Sequence, residues 1–263
     1  MPIIDWDLVQ GTAAWYASRS GIPTASCAHL ILTPKKLQIS EQRKSYACRL
    51  IAERLLNWQA DSLDKIQHIA DGKAGEPFAV AQLEEVYDIE TKRVGFIRTS
   101  DGRFGASPDR VVCANGSGGI GAISTTVEIK CPTIPVQIER LIFGNDEAYL
   151  LQRQMQLWVA EADKSLYYSW SDRMPAFTSE EGRSEAVIAK LVAALDQFSD
   201  ELEEWTEVAK RSGAFQAFPA LLPPIDAERG DAQWDEAPPA VQYTGRYAPP
   251  SDRDIDDIVN GRW

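Results

Sequence analysis

Thr125-Thr126-Val127-Glu128-Ile129-Lys130 is a run of mostly β-branched residues, stopped by Cys131-Pro132. It reads as a strand whose side chains alternate between two faces. Glu128 and Lys130 therefore point the same way, about 7 Å apart along the strand, while Ile129 enters the opposite layer. A buried acid and lysine side by side need a reason, because a charge taken out of water must be paired or must hold something. The same pair on a surface would be an ordinary ion pair. Which of the two it is depends on what surrounds this strand.

Helical spacing dominates on its N-terminal side. Thr24-Ala25-Ser26 can cap a short helix running towards Leu32, and Tyr46, Leu50, Ile51, Leu55 and Trp58 mark one face of a helix over 41–58. Residues 60–75 are polar and predict a loop. Pro77 fits the first turn of a helix whose face carries Phe78, Gln82, Leu83 and Val86. The pattern then changes to strands over 93–99, 104–106 and 110–113, with Ser100-Asp101-Gly102-Arg103 as a turn and 115–119 as a loop. Residues 146–161 predict a helix, 166–170 a buried strand and 180–211 a long acidic helix. Helices and strands of this kind make an α/β domain.

Charge divides the chain. Residues 1–170 hold 20 acids and 18 bases, residues 171–263 hold 19 and 9, and the whole carries −12. A basic nucleic-acid protein is not obvious from that balance, although a local basic groove remains possible in the near-neutral part. After residue 212 prolines punctuate a polar, acidic stretch. The expected organisation is a domain over 1–212 and an acidic, Pro-rich appendage over 213–263. No apolar run approaches the ~18 residues of a membrane span, no signal peptide stands at the start, and four scattered cysteines give no disulfide framework. A cytoplasmic protein is expected.

Three features could carry chemistry together: Glu76, Asp109, and Glu128 with Lys130. Carboxylates from Asp109 and Glu128 can hold Mg²⁺ or Mn²⁺, which lowers the pKa of a bound water, and Lys130 can orient that water and offset charge on a phosphate. Two histidines far apart and no Cys-x-x-Cys argue against a zinc site. Gly116-Ser117-Gly118-Gly119-Ile120-Gly121 matches a dinucleotide fingerprint in letters. It leads into a β-type run rather than a helix, and reads as a loop.

The order of these pieces resembles the phage lambda exonuclease group, the YqaJ-type alkaline exonucleases of the PD-(D/E)xK nuclease superfamily. The resemblance covers roughly residues 12–172. It is carried by Trp15-Tyr16-Ala17-Ser18-Arg19-Ser20-Gly21, Thr24-Ala25-Ser26, Gly72-Lys73-Ala74-Gly75-Glu76 and Ala106-Ser107-Pro108-Asp109. It continues through Val127-Glu128-Ile129-Lys130-Cys131-Pro132 and the Gln-bearing run Tyr149–Trp158.

The resemblance implies a restriction-endonuclease-like core, a central mixed β-sheet flanked by helices. It implies Asp109 and Glu128 as principal metal ligands with the Ile129 carbonyl, and Glu76 completing a site for two Mg²⁺ ions, with Mn²⁺ as a substitute. Lys130 would position the nucleophilic water. Gln152 would hold the nucleic acid or Lys130. Arg19, Ser26 and Ser107 would bind a 5′-terminal phosphate, a role that suits a bidentate guanidinium with two hydroxyls. The blander readings are Arg19 as a surface arginine, Ser26 as a helix cap, which is compatible with phosphate binding, and Gln152 as a solvated helix residue. Trp15 is core by default, with a place near DNA as the other reading.

The implied activity is processive 5′→3′ exonuclease action on linear double-stranded DNA bearing a 5′-phosphate. It releases 5′-mononucleotides and leaves a 3′ single strand for annealing recombination. A homotrimeric ring, a single-strand annealing partner, and a bacterial or phage-infected host cytoplasm are implied with it. A restriction- or repair-type endonuclease could share the same acids and lysine. A non-catalytic DNA-binding scaffold could keep the fold.

Overall fold

The structure, a computed structural model, describes residues 1–56, 67–114, 122–144 and 149–212. The short strand β1 (Ile3–Asp5) is followed by helix α1 (Ala13–Arg19), a single 3₁₀ turn at Ala25–Cys27 and α2 (Ala28–Ile31). Helices α3 (Arg43–Leu56) and α4 (Gln67–Tyr87) lead to the strands β2 (Phe96–Arg98), β3 (Gly105–Ala106), β4 (Arg110–Cys113) and β5 (Ile123–Lys130). Then come α5 (Ile134–Phe143), α6 (Leu150–Ala160), β6 (Lys164–Ser171), β7 (Met174–Gly182) and α7 (Glu185–Arg211).

Strands β1, β2 and β3 form a small antiparallel sheet. The larger sheet runs β4-β5-β6-β7 and is mixed: β5 and β6 are parallel, and the other two pairings are antiparallel. The expected α/β class, a mixed sheet flanked by helices, is what the chain adopts.

The two faces of β5 are as its alternation requires. Val127 and Ile129 join Leu166 and Tyr168 from β6 in a cluster with Ala79, Val80 and Leu83 of α4. Glu128 lies on the other face, 2 % exposed, beneath α6. Helix α6 is buried nearly all round and packs on the second core with α2, α3 and α7. Its buried Arg153 is held by Ser165 and Ser179 and paired with Glu181 at 3.3 Å.

Several expectations need correction. The predicted loop over 60–75 is helical from Gln67, and Pro77 lies inside α4 rather than in its first turn. Proline forfeits one intrahelical bond, but tertiary contact keeps the helix running. A Cβ on Gly75 would stand 3.2 Å from both Cys131 Sγ and the Trp170 ring, so α4 rests almost backbone-to-sheet at that turn. Residues 180–182 belong to β7, and the long acidic helix starts at Glu185. Helix α5 and most of β7 have no counterpart in the sequence reading. The loop over 115–119 and the appendage 213–263 lie outside the described residues. No helix among the described residues is long and apolar enough to cross a membrane.

Candidate active site

Asp109 stands just ahead of β4, and the antiparallel register sets Arg110 opposite Val127. That places the Asp109 carboxylate beside the end of β5, where its Oδ2 accepts the Ile129 N–H at 2.7 Å. Lys130 Nζ lies 3.8 Å from the same oxygen and donates to Glu128 Oε1. Helix α6 supplies two more donors. Gln152 Nε2 reaches Glu128 Oε1 at 2.7 Å, and Gln156 Nε2 reaches Glu128 Oε2 at 2.7 Å. The Glu-x-Lys pair is therefore not a surface ion pair: Glu128 is buried and its carboxylate is fixed by three donors on two elements.

The electrostatics follow from that crowding. Burial, then the charge of Glu128, pushes Asp109 up from 3.8 to about 7, with Glu76 adding to the effect and Lys130 and the Ile129 N–H opposing it. Burial lowers the Lys130 pKa, but the two carboxylates and the bond to Glu128 outweigh it and hold the ammonium protonated well above its ordinary range. The Cys131 thiol is pushed up to about 11, first by burial and then by Glu76 and Asp109. It stays a neutral thiol at the cleft wall.

A cleft of about 640 Å³ opens over this cluster. Asp109, Ile129, Lys130, Glu76, Arg93 and Trp15 are among the residues that line it. Gln10 closes one side, donating to the Val94 and Pro108 carbonyls at 3.0 Å each.

The donor set fits a hard divalent cation. It consists of carboxylate oxygens with no imidazole, and among the described residues nothing donates to Asp109 Oδ1, which leaves that oxygen for a ligand. Among the described residues no three His, Cys, Asp or Glu side chains converge to cage an ion by themselves. The site is thus open, in the manner of Mg²⁺, which takes one or two carboxylates and completes its shell with water and substrate phosphate. Glu76 faces the cleft from α4 and acts on Asp109 through its charge.

The three residues expected at a terminal phosphate are brought together through a fourth, Trp15. Its ring lies under the Arg19 guanidinium, 4.1 Å from ring centroid to Cζ, and its indole N–H donates to the Gly95 carbonyl at 2.9 Å and to Ser107 Oγ at 3.2 Å. Arg19 Nη2 lies 3.2 Å from Thr24 Oγ1 and 3.4 Å from Ser26 Oγ. Burial lowers the pKa of Arg19, with Cys27, Tyr46 and Glu53 pulling it back up. Among the described residues no carboxylate pairs with it directly. Arg19, Ser26 and Ser107 do not line the main cleft themselves; Trp15 does.

Sequence reasoning set Gln152 on Lys130 or on nucleic acid, whereas its amide here meets Glu128. It passed over Gln156, although the four-residue step from Gln152 along one helical face was a usable signal. Thr24 was visible only as part of a motif, and Trp15 only as a core residue or one near DNA, not as the link between Arg19 and Ser107.

A family model for the YqaJ-like viral recombinase domain matches residues 14–163. Among solved structures, the chain is similar to the alkaline exonuclease LHK-Exo from Laribacter hongkongensis. The two are 30 % identical over 78 % of this chain and 100 % of that one, with a TM-score of 0.66. The structure of LHK-Exo in complex with dAMP gives 0.67 over the same coverage. A phage-related exonuclease from Haemophilus somnus 129PT shares the fold, at 16 % identity, 70 % and 95 % coverage and a TM-score of 0.52. No curated protein matches the sequence. With the matched segment spanning more than half of the chain and containing Arg19, Asp109, Glu128 and Gln152, the protein belongs to the YqaJ-like viral recombinase family, the lambda-exonuclease-like group.

Proposed function

We propose that this chain is a metal-dependent exonuclease that degrades linear double-stranded DNA from a 5′-phosphorylated end in the 5′→3′ direction. The observation that carries the reading is the pairing of an acidic cluster, Asp109, Glu128 and Lys130, with a half-buried guanidinium, Arg19, that has neutral partners only. The first suits a cation and a scissile phosphate. The second suits a terminal phosphate.

A bound Mg²⁺ or Mn²⁺ would lower the pKa of its water and neutralise charge on the scissile phosphate. Asp109 and Glu128 are the side chains to hold it, with the Ile129 carbonyl beside them. Glu76 is the residue that would serve a second ion, together with substrate phosphate oxygens. Lys130 donates to Glu128 and lies 3.8 Å from Asp109, which places it as a donor beside both carboxylates. It orients the nucleophile and meets the charge that grows on the phosphate oxygens. Gln152 and Gln156 keep Glu128 from rotating away.

Attack at phosphorus breaks the bond to the 3′ oxygen of the terminal nucleotide. The released product is a 5′-mononucleotide, and the shortened strand again ends in a 5′-phosphate. That group is what Arg19, Ser26 and Ser107 are suited to bind, so each cut presents the next substrate. A homotrimeric ring would let such cycles run processively, and the 3′ strand left behind would serve a single-strand annealing protein in the cytoplasm of a bacterial or phage-infected cell.

The test is digestion of end-labelled linear duplex and of covalently closed circles, with Mg²⁺, with Mn²⁺ and with chelator. Labelled mononucleotides from the 5′ end of linear DNA, only with metal, are expected. Nicking or linearisation of closed circles would favour the endonuclease reading. Binding without any metal-dependent cleavage would favour the scaffold reading.

A further inference from the structure

The segment before β2 carries a second cationic feature that the catalytic reading does not use. Lys92 and Val111 form an antiparallel bridge, with N–H···O bonds of 2.8 and 2.9 Å in the two directions. The register therefore sets Arg93 opposite Arg110. Like charges directly across two strands are destabilising.

Neither guanidinium has a conventional partner among the described residues. Arg110 Nε is buried with nothing to donate to. Arg93 is exposed and lines the same cleft as Asp109 and Lys130. The fold thus brings two arginines together beside the acidic cluster, and among the described residues no hydrogen-bonded acid offsets their repulsion. An anion entering the cleft would relieve it.

We infer that Arg93, backed by Arg110, binds a backbone phosphate of the DNA strand other than the terminal and scissile ones. This rests on the nuclease reading above. A strand with its scissile phosphate at Asp109 and Lys130 and its terminal phosphate at Arg19 carries the next phosphate on the 3′ side along the cleft wall, where Arg93 stands. Arg93 is a positioning residue: it aligns the strand, and the acidic cluster does the chemistry.

Equilibrium binding of a fluorescent 5′-phosphorylated duplex by the full chain, with chelator to prevent cleavage, tests this over a range of salt concentrations. Arg93→Ala is expected to weaken binding about tenfold, as for loss of one charge-assisted phosphate contact. The slope of log K against log salt should shrink by about 0.9, the value for one phosphate. Arg93→Lys should keep most of the slope. The thermal midpoint of Arg93→Ala should be unchanged or higher, since a repulsion is removed, and its affinity for a labelled 5′-mononucleotide should match wild type. Unchanged duplex affinity and slope would overturn the proposal. So would an affinity loss that comes with a lower midpoint, or an equal loss on the mononucleotide, which would move the contact to the terminal nucleotide. Failure of the wild type itself to bind duplex would instead overturn the nuclease reading.

Discussion

Glu128 is buried and Arg19 half-buried, and the two are held in different ways. Glu128 is met by one ammonium and two amides, each within hydrogen-bond reach of a carboxylate oxygen. Arg19 is met by an aromatic face and two hydroxyls, none of which carries charge. The acidic end is fixed in position and short of positive charge, since Asp109 and Glu128 share one lysine. The guanidinium end is fixed in position and short of negative charge. Each end is preorganised for a ligand of opposite sign, and a DNA terminus with its cations supplies both.

The largest effects should come from the acidic end. Asp109→Ala or Glu128→Ala should lower cleavage by orders of magnitude while circular dichroism shows an intact fold, because each removes a ligand for the ion that activates water. Wild-type-like turnover by either variant would dissolve the contrast between the two ends. Lys130→Ala should also lose most of its turnover, but it should retain Mg²⁺ or Mn²⁺ binding by calorimetry, since the ammonium is not a ligand. Lost metal affinity with intact turnover would reverse the roles.

The guanidinium end should give a smaller and more selective effect. A charge-assisted hydrogen bond contributes roughly 1.5–3 kcal/mol, so Arg19→Ala should lose about ten- to a hundredfold in its preference for 5′-phosphate ends. Some metal-dependent cleavage should remain. Gln156→Leu sharpens the comparison from the other side. Removing one of three donors to Glu128 should lower turnover by about tenfold, while the preference between 5′-phosphate and 5′-hydroxyl ends stays as in wild type.

The smallest effect concerns stability without metal. Asp109 has a folded pKa of about 7 against an ordinary 3.8. The folded chain then holds the proton more tightly than the unfolded chain. Stability of the metal-free protein should therefore fall as pH rises from about 4 to about 7, and stay low above it. Asp109→Asn should flatten that dependence and raise the metal-free midpoint at pH 8, measured by thermal denaturation. A steeper decline in the variant would contradict the origin assigned to the shift.

How much of this was legible in the sequence varies by element. Strand β5 was, because strict alternation put Glu128 and Lys130 on one face and Ile129 on the other, as observed. Helix α5 was not, because its pattern is inverted. Gln137 and Arg140 are buried and bonded to Ser169, while Ile142 and Phe143 are 65 % and 80 % exposed. A rule that turns apolar residues inward has nothing to find there. The extent of α4 was hidden by Gly72, Gly75 and Pro77, since local propensity opposes a helix that tertiary contact at Gly75 keeps. Asp109, Glu128 and Lys130 could be picked out as candidates, but two of the three donors to Glu128 come from a helix more than twenty residues away in sequence, and only the folded chain brings them in.

The most direct test of the account is the rate at which the wild-type chain, with Mg²⁺, digests matched linear duplexes that differ only in a 5′-phosphate or a 5′-hydroxyl. The account predicts that the phosphorylated end is degraded at least about tenfold faster, because Arg19 gains a charge-assisted partner there and only there. Equal rates on the two ends would contradict it, and would leave Arg19 without the anion for which its surroundings hold it.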